Sequence, residues 1–458
     1  MTSRRRVEVY TMVRRILSWI VAAVAMLILI PLPAAGQTPR TLSFADVASV
    51  ALRENLPLRA AALDVTAAEA QLAQARSGHR ARMEMSASYT RTQGPGQTIS
   101  FANPFGPVPP TITVTLPSPG PDLAALSVRL QYPLYAGGRV ESQIALAEAN
   151  LRGARAAFRR AAQQVVSTTE QTYLQALLAR ETLFAEQRSL GRAEEALRVA
   201  QARAAAGASP QFDVLQAQVA VAAARQAVVR AETAVQNASA GLNLLLGLPL
   251  DTSLVLAGTL ERRPVSGTLE AAIGQAIRDR PEIAEWGARV DAARAAVALA
   301  SSGARPNVVI RAGYDATGGS SPALGTWSVT LAVTLSLYDG GLTRERIREA
   351  EARVQQLEFL QANARRVIEF EVRQAWLALV QSELEMSAAA AGVTQAREAA
   401  RVAGVRYQAG VGTGLELLGA HAALAVADLG LASAIFNQNR AWLQFRSATG
   451  VGPQEGWR

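Results

Sequence analysis

The chain has 458 residues, is half hydrophobic, and carries 46 basic against 37 acidic residues, a formal net charge of +9. Every basic residue is arginine and there is no cysteine, which excludes disulfides, thiolate metal sites and a lipid-anchored N-terminal cysteine. Five arginines lie in the first 15 residues, and the others alternate with acidic residues along predicted helix faces. That pattern is typical of a solvated surface, so the charge does not predict nucleic-acid binding.

The first 36 residues have the pattern of a secretory signal peptide. Basic residues at Arg4–Arg6, Arg14 and Arg15 precede an apolar run from Ile16 to about Ile30, and small residues end at Gly36. The alternative is an uncleaved anchor, but the run is shorter than the ~20 residues that a membrane span needs. We find no other window apolar enough for a transmembrane helix. The exported chain is therefore expected to be periplasmic, secreted, or in the outer membrane as a β-barrel.

Residues 37–250 are predicted to form a first structural repeat. Helical sequence runs from Phe44 to Gly78, with a break at Asn55-Leu-Pro57. Alternating apolar residues then predict a β-hairpin at about 83–135, joined by the Gly/Pro-rich loop Gly94–Pro121. Gly137 and Gly138 turn the second strand into a helical hairpin at about 139–246, because paired glycines adopt backbone angles that other residues avoid.

A second repeat, residues 268–450, follows a linker at 251–267 and precedes a tail at 451–458. It has a β-hairpin at about 308–338, a corner at Gly340 and Gly341, and a helical hairpin at about 342–448. From Tyr135/Tyr338 onward the repeats match without a gap at an offset of 203 positions, whereas the preceding helices are offset by 225. The chain is a tandem duplication whose first strand-connecting loop is longer by about 22 residues.

The long helices are too long for a compact domain. Each runs for about 68 residues without proline, or ~100 Å at ~1.5 Å per residue. The strands are long enough to cross a bilayer when tilted. Four strands cannot close a barrel, and an open sheet edge in lipid leaves backbone groups unsatisfied, so the chain is expected to oligomerise. Strand counting alone allows a dimer or any larger ring.

Both helical hairpins fold back at the same kind of turn. Arg, Gly, an acidic residue and Leu recur at one spacing, first at Arg203, Gly207 and Asp213 and then at Arg406, Gly410 and Glu416. Glycine provides the stop and the restart. Asp213 and Glu416 fall in the first turn of the helices that follow, where a carboxylate stabilises the helix N-terminus.

Taken together, the duplicated strand–strand–helix–turn–helix order, the Gly-Gly corners, the Arg406-Tyr407-Gln-Ala-Gly410 turn and the Glu416-Leu-Leu418 segment resemble the TolC family of outer membrane efflux proteins. The resemblance implies an α+β membrane protein. It implies a homotrimer whose twelve-stranded outer-membrane β-barrel is continued by a long periplasmic α-helical barrel. It also implies a passive duct, working with a periplasmic adaptor (membrane fusion) protein and an inner-membrane transporter of RND or ABC type.

The same resemblance assigns the periplasmic constriction. Tyr407 falls on the family's tyrosine latch position, and Glu416 on the first of two aspartates that ring the pore. Gly412 stands at the latch arginine position and Gly419 at the second aspartate, so the closed-state contacts must differ here, and Asp213 is expected to contribute acid. Acidic residues ringing a narrow pore would attract cations. The alternative roles are interhelical packing for Tyr407, and stabilisation of the helix N-termini for the two acids. The turn residues expected to dock the adaptor, unless they are plain turn residues, are Arg203, Gly207, Arg406, Gly410, Val411 and Gly412.

The sequence also bears on three other functions. An enzyme is not expected, because His79 and His421 have no metal-ligand spacing and no nucleophile arrangement accompanies them; no metal or cofactor is expected either. A type I protein-secretion channel fits the same architecture. A periplasmic coiled-coil adaptor or structural protein would explain the helical hairpins but not four bilayer-length strands.

Overall fold

The computed structural model describes residues 40–91, 97–102, 104, 106, 110–116, 122–263, 267–318 and 324–451. The predicted signal peptide lies outside the described residues, as do parts of both strand-connecting loops and all but Val451 of the predicted tail.

The described helices fall into two sets of four with the same order of lengths: a short helix, a medium helix, a long helix of 67 residues and a helix of 35 residues. They are α1 Phe44–Glu54, α2 Leu56–Ser77, α3 Arg139–Ala205, α4 Gln211–Leu245, α5 Leu269–Asp279, α6 Pro281–Ser301, α7 Leu342–Gln408 and α8 Gly414–Ala448.

The described strands form three sheets. They are β1 Arg40–Leu42, β2 Arg82–Arg91, β3 Gln97–Ala102, β4 Thr111–Leu116, β5 Asp122–Tyr135, β6 Leu254–Leu256, β7 Asn307–Gly318 and β8 Leu324–Thr334. One antiparallel sheet has the order β2-β5-β7-β8 and joins the strand pairs of both repeats. The duplicated strand–strand–helical hairpin fold predicted from the sequence is confirmed.

The four-stranded sheet has one apolar and one polar face. Across one row, Met85 pairs with Val128, Val128 with Tyr314 and Tyr314 with Trp327. Trp327 is 77% exposed. Because neighbouring residues on a strand point to opposite faces, the adjacent rows are polar. On that polar face Arg129 Nη2 lies 3.7 Å from Asp315 Oδ1. A sheet with this pattern suits lipid on one side and water on the other.

Within the described residues, β2 and β8 each pair with one neighbour only, so both edges of this sheet are open. β8 ends at Thr334, whereas the alternating apolar pattern predicted that the strand would continue to Leu337. Beyond β5, Gly137 and Gly138 have φ of +66° and +82°, and Gly340 and Gly341 have +68° and +90°. Each glycine pair thus adopts left-handed angles where a strand gives way to a long helix.

Each 35-residue helix meets a medium helix end to end, and together they run beside a long helix. Asn55 joins the first pair: its side chain accepts from Leu58 N and donates to Leu245 O, both at 3.0 Å. A Cβ on Gly247 would lie 2.7 Å from Glu54 O, so this junction requires glycine. At the second junction a Cβ on Gly450 would lie 3.0 Å from the backbone nitrogen of Arg280.

The main hydrophobic core lies at the level of these junctions. Short strands β1 and β6 pair in parallel there. The single hydroxyl proton of Tyr173 is shared between two carbonyl acceptors, Leu42 O and Ala257 O. The buried residues of this main core are Leu42, Val47, Ala51, Tyr173, Leu174, Leu177, Leu242, Leu246 and Leu443. Residues 251–263 of the predicted linker therefore contribute a strand and hydrogen bonds to the core, which local sequence did not indicate.

The Gly94–Pro121 loop contains a β-hairpin that the sequence analysis did not predict. Strands β3 and β4 pair antiparallel from Gln97↔Leu116 to Ala102↔Thr111 and form a sheet of their own. The alternation in Thr111-Ile-Thr-Val-Thr-Leu116 was a readable signal for β4, outweighed by the surrounding glycine and proline.

We expect the oligomer to form when residues 94–121 are replaced by a short Gly/Ser turn. The β3–β4 hairpin adds no strand to the four-stranded sheet, and the free-energy cost of loop closure depends only weakly on loop length. The check is the mass of the detergent-extracted variant beside the wild type. Recovery of monomer alone, with the wild type oligomeric, would show that the hairpin is needed for assembly.

The sequence analysis found no window beyond the first 36 residues apolar enough for a transmembrane helix, and that statement is wrong. Of the described helices, α8 is long and apolar enough to cross a membrane by length and composition. α8 packs along α7 and against α3, but only 6% of its most apolar window is buried within the single chain. Ala, Leu and Gly on a helix that contacts neighbours on two sides raise its hydropathy as a membrane span would.

Candidate functional site

The turns of the two helical hairpins lie side by side at the end of the molecule away from the four-stranded sheet. We call this region the tip; it comprises residues 196–219 and 399–421. A small core holds it together: Ala196 of α3 packs with Tyr407 of α7 and Leu417 of α8, and all three are buried. Val199 lies against this core. The tip therefore joins one hairpin to the other.

The two turns have the same backbone structure. Gly207 and Gly410 have φ of +71° and +79°. Gly207 N donates to Ala204 O at 3.0 Å, and Gly410 N donates to Tyr407 O at 3.1 Å. The next amides, of residues 208 and 411, donate to the carbonyls of Arg203 at 2.8 Å and Arg406 at 3.0 Å. These bonds satisfy carbonyls that a helix end leaves free, which is why each turn begins with a residue that tolerates positive φ.

Arg203 connects the two hairpins. Its Nη1 donates to Tyr407 O and reaches Gln408 O at 3.5 Å, and its Nη2 donates to Ala208 O at 3.2 Å. The guanidinium also stacks over the Tyr407 ring, 4.7 Å from the centroid. A cation beside the last carbonyls of α7 meets the negative end of that helix. The sequence marked Arg203 only as a turn residue; these contacts have no sequence signal because they come from a segment 204 residues away.

Tyr407 is 3% exposed and lies in the tip core under Arg203. Within one chain its ring packs between helices, as in the alternative that the sequence analysis gave. Its latch function stays a prediction.

The two acidic residues have different surroundings. Asp213 lies against the other turn, because a Cβ on Gly414 would be 3.2 Å from Asp213 Cγ. Glu416 is exposed, with Oε2 4.0 Å from Arg406 Nε, and its amide donates to the Thr413 side chain at 3.1 Å. Thr413 is thus the N-cap of α8, whereas Pro210 at the N-cap of α4 makes no side-chain capping bond.

Gly412 and Gly419, which stand where the family resemblance implies an arginine and an aspartate, have different surroundings. A Cβ on Gly412 would lie 3.0 Å from Arg406 Cβ, so a longer side chain there would need the turn to shift. Nothing lies within 4 Å of a Cβ placed on Gly419. Large apolar side chains are exposed on both turns, namely Phe212, Leu215, Val411 and Leu415.

A charged cluster that the sequence analysis missed lies further along the α3–α8 contact. Arg192 Nη2 lies 3.7 Å from Asp428 Oδ2, and both side chains are largely buried. Burial, and then the charge of Arg192, lower the pKa of His421. Its Nδ1 is buried and has no hydrogen-bond partner among the described residues. Packing of the hairpins around this ring therefore favours the neutral form of His421 over the charged form.

We expect acid to loosen the tip through His421. A histidine whose pKa is lowered in the packed state takes up its proton more readily when the hairpins separate. Packing is thus strongest above the ordinary pKa of about 6.5 and weakens as pH falls through it. The open probability of the duct that the family resemblance implies should rise in a bilayer from pH 8 to pH 5, and less so in His421→Gln. An identical pH response in both proteins would rule out His421 as the cause.

Across the described residues no group of three or more His, Cys, Asp or Glu is placed to hold a metal ion. The tip instead offers glycine turns, exposed apolar side chains and charged groups. Such an arrangement can pack against other hairpins.

Comparison with known proteins gives a consistent result. Residues 47–248 and 272–451 match the family described as "Outer membrane efflux protein". Protein CyaE of Bordetella pertussis is 30% identical over 306 residues, covering 64% of this chain and 63% of that protein. The pyoverdine export outer membrane protein OpmQ of Pseudomonas putida is 29% identical over 290 residues, covering 62% of this chain and 61% of that protein. The matches thus span under two thirds of these relatives.

Solved structures share the fold over most of the chain. A membrane protein from Pseudomonas aeruginosa aligns with a TM-score of 0.74 at 23% identity, covering 89% of this chain and 93% of its own. The outer-membrane channel OprN aligns with a TM-score of 0.73 at 21% identity, covering 90% and 91%. Because the family match covers both repeats and the fold is that of outer-membrane channels, the chain belongs to the outer membrane efflux protein family, the TolC family, and lies in the outer membrane.

Proposed function

We propose that this protein is the outer-membrane exit duct of a tripartite efflux pump, passing small molecules from an inner-membrane transporter to the exterior. One observation carries the proposal: a four-stranded sheet with an apolar face, a polar face and two open edges stands on two long helical hairpins. Open edges in lipid are costly, so copies of the chain pair edge to edge. Three copies give a twelve-stranded barrel, within the known range for such barrels.

The helices support the same assembly. On α7, Phe370, Leu377 and Leu384 are exposed in the single chain at seven-residue spacing. Apolar residues at heptad spacing are typical of a helix that packs along another helix. In the proposed trimer, neighbouring hairpins cover this stripe and form the periplasmic barrel. An adaptor protein docks on the two turns, Arg203 to Gly207 and Arg406 to Gly412, as the family resemblance implies.

Small molecules are the favoured cargo because OpmQ, a relative at 29% identity, is named for the export of pyoverdine. The second candidate is the channel of a type I protein-secretion system, which the architecture fits equally. The test is deletion of the gene in its host. The efflux proposal predicts greater sensitivity to toxic small molecules with an unchanged set of secreted proteins. Loss of a secreted protein with unchanged sensitivity would favour the secretion channel instead.

We also propose that Asp213 and Glu416, with Tyr407, form the periplasmic constriction. If three copies bring these carboxylates around one pore, they attract cations and repel anions. Asp213→Asn combined with Glu416→Gln should then reduce cation over anion selectivity severalfold, measured as the reversal potential across a salt gradient. Glu398→Gln is the matched control, because Glu398 is exposed on α7 and paired with Arg401. A selectivity equal to that of the wild type would remove these acids from the constriction.

A further inference from the structure

The contact that joins the two repeats has matching groups that make no such contact within the chain: an arginine donor on the second repeat and carbonyl acceptors on the first. The repeats have the same turn backbone and long helices of equal length. Arg203 of the first repeat reaches across to Tyr407 O and Gln408 O at the end of α7. Its equivalent, Arg406, makes no such crossing among the described residues. It donates to Val411 O at 3.3 Å and lies 4.0 Å from Glu416 Oε2, both within its own hairpin, and its side chain is 54% exposed.

The acceptors that correspond to Tyr407 O and Gln408 O lie on the first repeat. Subtracting the offset of 203 gives Ala204 and Ala205, the last residues of α3. Ala204 O accepts one turn bond, from Gly207 N, as Tyr407 O accepts one from Gly410 N. A carbonyl oxygen has two lone pairs, so it has room for a second donor. Arg203 uses that second site on Tyr407. Among the described residues, no side chain donates to Ala204 O.

The apolar residues beside the two arginines also differ in packing between the repeats. Val199 packs against the tip core formed by Ala196, Tyr407 and Leu417. Its equivalent on α7, Val402, is 41% exposed in the single chain. The second hairpin therefore has, on its free flank, both the cation and the apolar residue that the first hairpin uses to bind its neighbour.

The strand-to-helix corners repeat this pattern at the other end of the long helices. A Cβ on Gly137 would lie 3.0 Å from Ser302 O, and one on Gly138 would lie 3.0 Å from the Arg305 side chain, so the first corner packs closely on the second repeat. Nothing lies within 4 Å of a Cβ on Gly340 or Gly341. The second corner has the same left-handed backbone, but no described residue packs against its two glycines as Ser302 and Arg305 pack against the first pair.

We infer that the contact between the repeats recurs between subunits, with Arg406 donating to the carbonyls of the partner subunit's Ala204 and the partner subunit's Ala205. Arg203 and Arg406 then alternate around the tip, one joining hairpins within a chain and the other joining chains. Arg406 meets the negative end of the partner's α3, as Arg203 meets that of α7. The ring stacking of Arg203 has no counterpart, because alanine replaces tyrosine at position 204, so the intersubunit contact is the weaker of the two.

This inference rests on the proposed assembly and is tested by crosslinking in membranes. The native chain has no cysteine, so Arg406→Cys with Ala205→Cys introduces the only reactive pair. A bismaleimide about as long as an arginine side chain should link this variant into dimers and trimers on a denaturing gel. The matched control, Arg203→Cys with Gln408→Cys, places the equivalent pair within one chain and should link without raising the mass.

The mass of the unlinked variants in detergent separates the two hypotheses. Oligomeric protein that links within chains in the control, but gives no intermolecular product in the Arg406→Cys/Ala205→Cys variant, overturns the inference and leaves the proposed duct intact. A monomeric mass for both variants and for the wild type overturns the inference together with the proposed assembly.

Discussion

Replacing Arg203 with alanine is expected to open the periplasmic end of the channel and raise the ratio of open to closed channels about 30-fold. The substitution removes the bonds to Tyr407 O and Ala208 O and the stacking on the Tyr407 ring. A hydrogen bond from a charged group contributes about 1.5–3 kcal/mol. Because the side chain is half-buried and partly screened by water, we take about 2 kcal/mol for the whole set, which is about 30-fold in the ratio of open to closed channels.

Two variants make the Arg203 result specific. Arg203→Lys keeps the charge but loses the planar fork that reaches several carbonyls, so its conductance should lie close to that of the alanine variant. Arg198→Ala is the matched control: Arg198 lies five residues earlier on α3, exposed and paired with Glu195. Single-channel recordings and uptake of a bulky antibiotic by cells with equal protein levels are the measurements. Wild-type values for Arg203→Ala would show that the tip is held closed by other contacts.

Replacing Arg446 with alanine is expected to destabilise the protein by about 3–5 kcal/mol, the cost of leaving a buried charge unpaired. Glu170 on α3 is 3% exposed and pairs with Arg446 on α8. Burial raises the pKa of Glu170, and the charge and hydrogen bond of Arg446 oppose that rise. Arg446 also stacks on Trp442, 5.0 Å from its ring centroid. The pair therefore joins the two repeats at the level of the main core.

The pH dependence distinguishes the unpaired charge from lost packing. A carboxyl whose pKa is raised in the folded state binds its proton more tightly there, so stability falls as pH rises through that range. The loss in Arg446→Ala should be larger at pH 8 than at pH 5. Thermal denaturation of the detergent-extracted protein is the measurement, with Glu170→Gln/Arg446→Leu as the comparison. In that double variant the pH dependence should be absent; equal losses at both pH values in Arg446→Ala would point to packing alone.

The helices and sheet strands were readable because their signals are local and occur twice. The sequence placed the first long helix from Arg139 to about Ala206, and α3 ends at Ala205. The apolar residues of β5 and β8 alternate cleanly because one face of the sheet meets an apolar environment. The parallel pair of β1 and β6 was not readable, since three residues carry little pattern and the partners lie more than 200 positions apart.

The tip was readable in part. Repetition located the turns, but the repeat pattern treats Arg203 and Arg406 as equals, and only the packing of the hairpins separates their contacts. Asp213 and Glu416 also occupy matching positions, yet one lies against Gly414 and the other is exposed. Arg192, Asp428 and His421 went unnoticed as a cluster because two helices from different repeats bring them together.

Planar-bilayer conductance of the detergent-extracted protein, with its oligomer mass determined on the same sample, tests the central claim most directly. The proposed duct predicts a trimer that gives discrete conductance steps with a preference for cations. A monomer that leaves the bilayer silent would contradict the duct.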